Sequence, residues 1–280
     1  MFPARLAAAI RTAIAEVVPP TTEFPDATPA AWIRRPGRVT YGDFATPAAR
    51  RWSAMTGIPT AALAERLAAR LRDVEGVAEC EVAGDGFVNI RVDARALADI
   101  VREIVVAGQA YARKDHPGPE DPATIPRYVP SPALADEMRY AHARMCGFLR
   151  AAVALGIEVD PARLDRDLDP DHDLDPDHDS ARMTTERIRP LVCALAEFPA
   201  VVARSGRAGR PERTSQRPLD RYLNEVLRLV EGFEDAGGIL PKGPEEPSPS
   251  HRTRLLVVDA TRIVLADALG LCGLDAPTHW

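Results

Sequence analysis

Apolar residues recur every three to four positions over 3–18, where Leu6, Ala9, Ile10, Ile14 and Val17 share a face; this predicts a helix that Pro19-Pro20 ends. Ala31–Thr40 reads as extended, and Ala45–Met55 and Thr60–Val74 as two short helices separated by Gly57-Ile58-Pro59. Thr60 stands where the second of these needs an N-cap. The period then changes: Val77–Val82 and Gly86–Val92 alternate apolar and polar positions around Gly84-Asp85, the pattern of an antiparallel hairpin. Ala94–Ala107 returns to helical spacing. Residues 1–112 are therefore expected to form an α+β domain, a small antiparallel sheet with helices packed on one face.

Residues 113–132 hold six prolines and few apolar anchors, which predicts a semi-extended, Pro-rich linker. From Ala133 every periodic stretch is helical: 133–155, 182–204, 217–235 and 251–272. Four such helices joined by polar loops predict an antiparallel all-α bundle over 133–280.

Composition adds little to this picture until it is read locally. A hydrophobic content of 46% suits a packed core. The net charge of −6 argues against a polyanionic partner, yet it is concentrated in one place. Glu158–Asp179 carries ten acidic residues against two arginines, which leaves the rest of the chain slightly basic. Arg204, Arg207, Arg210, Arg213, Arg217 and Arg221 cluster further on, opposed by Glu212 and Asp220. Arginine suits bidentate phosphate contact, so Arg204, Arg207 and Arg210 are candidate phosphate ligands; a solvated loop is the plainer alternative.

The acidic stretch contains the only internal repeat, Leu168-Asp169-Pro170-Asp171-His172-Asp173 followed by Leu174-Asp175-Pro176-Asp177-His178-Asp179. It lacks the glycine and closing glutamate of a calcium loop and reads as a self-repelling solvated segment. The four cysteines are dispersed without a CxxC pair, and no metal or cofactor is expected. No segment reads as a signal peptide or membrane span, so a reduced, cytoplasmic protein without a membrane partner is expected.

Several short motifs, in order, resemble arginyl-tRNA synthetases. Tyr41-Gly42-Asp43-Phe44-Ala45-Thr46 is similar to the GDYAT element of that family's N-terminal domain, and Val82–Ile90 to its GPGFINF hairpin. Tyr140-Ala141-His142-Ala143-Arg144 resembles the family's YAHAR helix, and Leu195–Val202 its LAEFPEVV segment. Asp259-Ala260-Thr261-Arg262 and the stretch from Leu271 to Pro277 resemble the close of its DALR-type anticodon-binding domain. The resemblance implies that the first domain touches the D-loop corner of tRNA, with Asp43, Phe44, Thr46 and Asn89 as candidates. It implies that the bundle meets the anticodon loop, with Tyr140 as a candidate. Family members commonly have Asn where Pro47 stands, and commonly end in Met where this sequence has Trp280. An exposed Trp280 would stack on an unpaired base.

The same resemblance implies a catalytic domain between these two, with HIGH-type histidines and a KMSKS-type lysine. None of the six histidines forms a HIGH-like pair, and neither Lys114 nor Lys242 lies in a KMSKS-like context. His142 and Cys146 stand four apart on one helix face, a spacing that suits packing neighbours far better than a catalytic pair. The expected protein is a non-catalytic tRNA-binding paralogue, with arginine tRNA the first candidate partner. The alternatives are an interaction module that has lost RNA binding and docks on a full-length synthetase or another protein, and an appendage subunit whose catalytic domain is supplied in trans.

Overall fold

The computed structural model describes residues 2–16, 32–37, 41–113, 128–164, 178–206 and 218–280, with backbone only at 178–183, 204 and 206. The chain forms two compact units, Met1–Leu97 and Ala98–Trp280. Most of the expected linker and nearly all of the Asp/His repeat lie outside the described residues.

In the first unit, α1 (Phe2–Ala15) buries Phe2, Leu6, Ala7, Ile10, Ala13 and Ile14; of the expected face Leu6, Ile10 and Ile14 are buried, Ala9 is partly exposed and Val17 lies outside the described residues. The sheet has three strands in the order β1-β3-β2, all antiparallel: β1 (Phe44–Thr46), β2 (Val77–Ala83) and β3 (Phe87–Val92). Residues 45–47 are thus not the start of a helix. They complete the sheet edge and its entry into α2 (Ala48–Thr56), which packs with α3 (Thr60–Arg72) over the sheet. Cys80 and Ile90 face the core as cross-strand partners. Trp32 and Trp52 stack at 5.9 Å and are both buried.

The turn before β1 holds a tightly constrained backbone. Gly42 has φ +101°, and a Cβ there would stand 2.8 Å from the Ile90 carbonyl oxygen. Only glycine tolerates both. The next residue locks the same edge: the Asp43 N–H donates to Ile90 O at 2.8 Å, and its carboxylate accepts the Val92 N–H at 2.8 Å.

Helix α4 (Ala94–Ala107) begins in the first unit, ends in the second and runs into a 3-10 turn at Gly108–Arg113. The helices α5 (Pro132–Ala154), α6 (His178–Ala196), α7 (Phe198–Gly206), α8 (Pro218–Asp235) and α9 (Pro249–Leu271) follow. Helix α9 is buried on nearly every side and packs against α5, α6 and the 3-10 turn, so it is the central helix. It starts with a full capping box: Ser248 Oγ accepts from the His251 N–H, and His251 Nδ1 accepts from the Ser248 N–H. The stretch expected as one helix over 182–204 is two, broken at Glu197. Pro199 lies in the first turn of α7, where a missing N–H costs nothing, whereas α6 continues through Pro190. Carbonyls freed near the end of α6 find side chains: Tyr222 Oη donates to Ala194 O at 2.9 Å and Tyr111 Oη to Leu195 O at 3.4 Å.

The fold class is therefore α+β, a small three-stranded antiparallel unit followed by a helical one. Among the described residues no helix is long and apolar enough to cross a membrane. All four cysteines are buried free thiols, and burial pushes Cys80 and Cys272 up to about 11.

Candidate nucleic-acid interface

Helix α5 begins with Ser131 as N-cap, its Oγ accepting the Leu134 N–H at 3.2 Å, and with Pro132 at its first position. Met138, Ala141, His142, Met145 and Cys146 make the buried stripe. Tyr140 lies off that stripe and is 45% exposed. One turn on, Arg144 donates from Nη1 to Tyr140 Oη at 3.0 Å and lies over the tyrosine ring at 5.6 Å, a cation–π distance. Its guanidinium also lies 6.0 Å from the Phe148 ring centroid.

A second segment reaches this face because of how α9 ends. Gly273 takes φ +68°; its N–H donates to Gly270 O, and the Leu274 N–H donates to Leu269 O at 2.9 Å. That is a Schellman stop, and it turns the chain out of the helix. Residues 274–280 then lie along α5. His142 Nδ1 bonds Pro277 O at 2.8 Å, Arg150 Nη1 donates to Thr278 O at 2.7 Å, and the Trp280 ring meets Tyr140 edge-on at 6.1 Å and 77°. Trp280 remains 70% exposed. A carbonyl only accepts, so neutral His142 carries its proton on Nδ1.

Beneath the tail, burial disfavours charge on His142 and Cys146. Burial pushes the His142 pKa down, against the pull of the Pro277 carbonyl, and Arg262 lowers it further. Burial likewise raises the Cys146 thiol, with Arg262 and Arg150 opposing. Cys146 Sγ stands 3.9 Å from His142 Nδ1, but a buried thiol beside a neutral imidazole is a packing pair and not a nucleophile with its base. In the Asp259–Arg262 motif the two side chains satisfy each other, Arg262 Nη2 donating to Asp259 Oδ1 at 2.7 Å.

The free charge of this face is smaller than its arginines suggest. Arg144 donates to Glu234 through Nη2 at 2.6 Å and Nε at 3.2 Å. Despite this fork, the Glu234 pKa is raised, because burial outweighs the attraction of Arg144. A raised carboxylate pKa means the folded state binds the proton more tightly, so ionised Glu234 costs stability above its titration range and that cost vanishes as pH falls through it. Glu234→Gln should therefore leave stability at pH 7 within about 1 kcal/mol of the parent, since the burial cost of the ionised carboxylate offsets the loss of a pair whose Arg144 side chain is 42% exposed. It should also free Arg144 and tighten polyanion binding. Urea midpoints at pH 7 and near pH 4.5, with an RNA titration, check both; a loss of several kcal/mol contradicts the burial argument.

The other sequence-derived candidates fall in three groups. Phe44 and Thr46 are fully buried and Asp43 nearly so. Phe44 packs 6.5 Å from Phe2, and Thr46 Oγ1 accepts the Ala48 N–H at 3.2 Å to start α2. These three shape the edge of the first unit from inside. Asn89 is half-buried on β3, paired between Ala45 and the exposed Glu81. Arg204 lies in the last turn of α7, while Arg207 and Arg210 lie outside the described residues. Sequence reasoning missed Arg150 and the Arg144–Glu234 fork. Their partners are 128 and 90 residues away, a separation no local pattern carries.

The arginyl tRNA synthetase N terminal domain family matches residues 4–92, and the DALR anticodon binding domain family matches residues 138–279. Over 140 residues, half of this chain, the sequence is 39% identical to an arginine–tRNA ligase of Kineococcus radiotolerans. It is 37% identical to one of Frankia alni over the same length. Each alignment covers 22% of the relative, so the chain spans about a fifth of the length of the curated relatives it matches. Residues 93–137 between the two matched regions are far too few for a nucleotide-binding catalytic domain, which takes on the order of 100 residues or more.

Proposed function

Because the chain belongs to the DALR anticodon binding domain family, with an arginyl-tRNA synthetase N-terminal domain before it, we propose that it is a non-catalytic tRNA-binding paralogue of that synthetase. The observation that carries this reading is the pair of exposed rings, Tyr140 and Trp280, with a guanidinium beside them. Aromatic faces next to arginine are what unpaired bases in an RNA loop stack on. In this reading α5 and the segment after α9 meet the anticodon loop, and Arg204, Arg207 and Arg210 add phosphate contacts. The first unit meets the D-loop corner through the edge shaped by Asp43, Phe44 and Thr46, with Asn89 on the strand behind it. Carrying two weak sites on one chain raises effective concentration, so neither needs high affinity alone. The protein would act in the cytoplasm, where its RNA partner is. No catalytic domain lies between the two matched domains, and aminoacylation belongs to the relatives.

Titration of the chain with an arginine tRNA transcript and a non-cognate tRNA, at roughly 50 and 200 mM salt, tests this. The expected result is selective binding that weakens with salt by a log–log slope of about 0.7–0.9 per phosphate contact. Absence of binding at the lower salt overturns it.

A second reading, a module that docks on protein, is favoured by the exposed Val153 (78%) and Leu155 (53%) beside Leu149. A salt-insensitive complex with full-length arginyl-tRNA synthetase, in the absence of RNA binding, is the outcome that selects it.

A further inference from the structure

A segment without regular structure, carrying a large exposed ring, has many conformations to lose before that ring meets a partner. Residues 274–280 have lost them already. The Schellman stop at Gly273 aims the segment, and Pro277 restricts both its own φ and the residue before it. Two donors on α5, eight positions or about 12 Å of helix apart, then take consecutive carbonyls: His142 holds Pro277 O and Arg150 holds Thr278 O. Arg150 spends its short, charge-assisted bond on a main-chain oxygen rather than on a carboxylate. The result is a fixed edge-to-face pair in which Arg144 lies over the Tyr140 ring and Trp280 remains the more open of the two.

We propose that Arg150 and His142 are positioning residues: by strapping residues 277 and 278 to α5 they present Trp280 beside Tyr140 as a preformed seat for one unpaired RNA base. This rests on the RNA-binding reading above and adds to it how the seat is built. Neither residue touches the base. Their contribution is the ordering cost removed before binding, worth roughly 3–10-fold in affinity for one immobilised side chain with its short segment.

Arg150 is exposed and its removal leaves the core intact, so Arg150→Ala is the decisive variant. It is expected to weaken loop binding by about 3–10-fold, to have no further effect once Trp280→Ala is present, and to leave the salt slope unchanged. Arg150→Lys, which keeps a donor for Thr278 O, is expected to restore most of the loss. An effect additive with Trp280→Ala, or a flattened salt slope, identifies Arg150 as a phosphate ligand and overturns the proposal. A second readout needs no RNA. Trp32 and Trp52 are buried, so acrylamide quenching and the fast phase of anisotropy decay, taken against a Trp280→Phe control, report Trp280. Both should increase in Arg150→Ala at an unchanged melting temperature. If the parent binds no tRNA, the functional reading fails while this readout still decides the strap; an unchanged decay in Arg150→Ala overturns the strap itself.

Discussion

Replacing Arg254 with methionine should cost the second unit about 3 kcal/mol, the effect of breaking a buried, multiply bonded charge. Arg254 lies on the central helix α9 and is only 9% exposed. Its Nη1 donates to Gly238 O at 2.7 Å and to Gly237 O at 3.2 Å, and its Nη2 to Thr184 Oγ1 at 3.3 Å. One guanidinium thus ties α9 to α6 and to the loop that leaves α8. Methionine keeps most of the volume but leaves these acceptors short of donors, at about 1–3 kcal/mol for each one left unsatisfied. Part of that is offset, because burial, with Arg187 adding to it, already pushes the Arg254 pKa down, the mark of a desolvation cost. Lysine should rescue poorly, since a single ammonium cannot reproduce a planar fork. Gly238→Ala should destabilise through the same joint, because a Cβ at φ +70° would collide with the Arg254 guanidinium. Urea unfolding followed by circular dichroism, dominated by helices, measures both. A midpoint for Arg254→Met equal to the parent's would show that the loop finds other donors.

What could be read from the chain in advance follows from the range of the forces involved. The stripes of α1, α5, α8 and α9 are set by neighbours three and four positions apart, so periodicity places them to within a few residues. Strand β1 escaped because Phe44, Ala45 and Thr46 are all buried: three residues without alternation show no strand period. The break between α6 and α7 escaped because residues 191–196 and Phe198 are all buried around Glu197, so apolar spacing alone runs on through the stop. Tyr140 stood out only through its family-like motif; that it lies off the buried stripe of α5 comes from the fold. The strap was not, since His142 meets Pro277 across 135 residues and only the fold brings them together.

Tyr140→Ala should have the largest effect on RNA binding, a loss of roughly 1–3 kcal/mol, the value of one base–aromatic stack. Because Tyr140 is 45% exposed, the same change should barely move the melting temperature. That separation of affinity from stability is what distinguishes a binding ring from a packing ring. Two partners complicate a simple reading of the alanine variant. Trp280 loses the ring it meets edge-on, and Arg144 loses both a cation–π face and the hydroxyl it donates to. Tyr140→Phe separates these: it keeps the ring and the Trp280 contact while removing only the hydroxyl, so it should retain most of the affinity. The released Nη1 of Arg144 still has Glu234 for its Nη2, so the guanidinium stays in place and the salt slope should not change. If instead the phenylalanine variant binds as poorly as the alanine one, the hydroxyl and its hold on Arg144 matter more than the stack. If both bind like the parent, Tyr140 is no part of the interface, and the exposed Trp280 ring alone would have to carry the base contact.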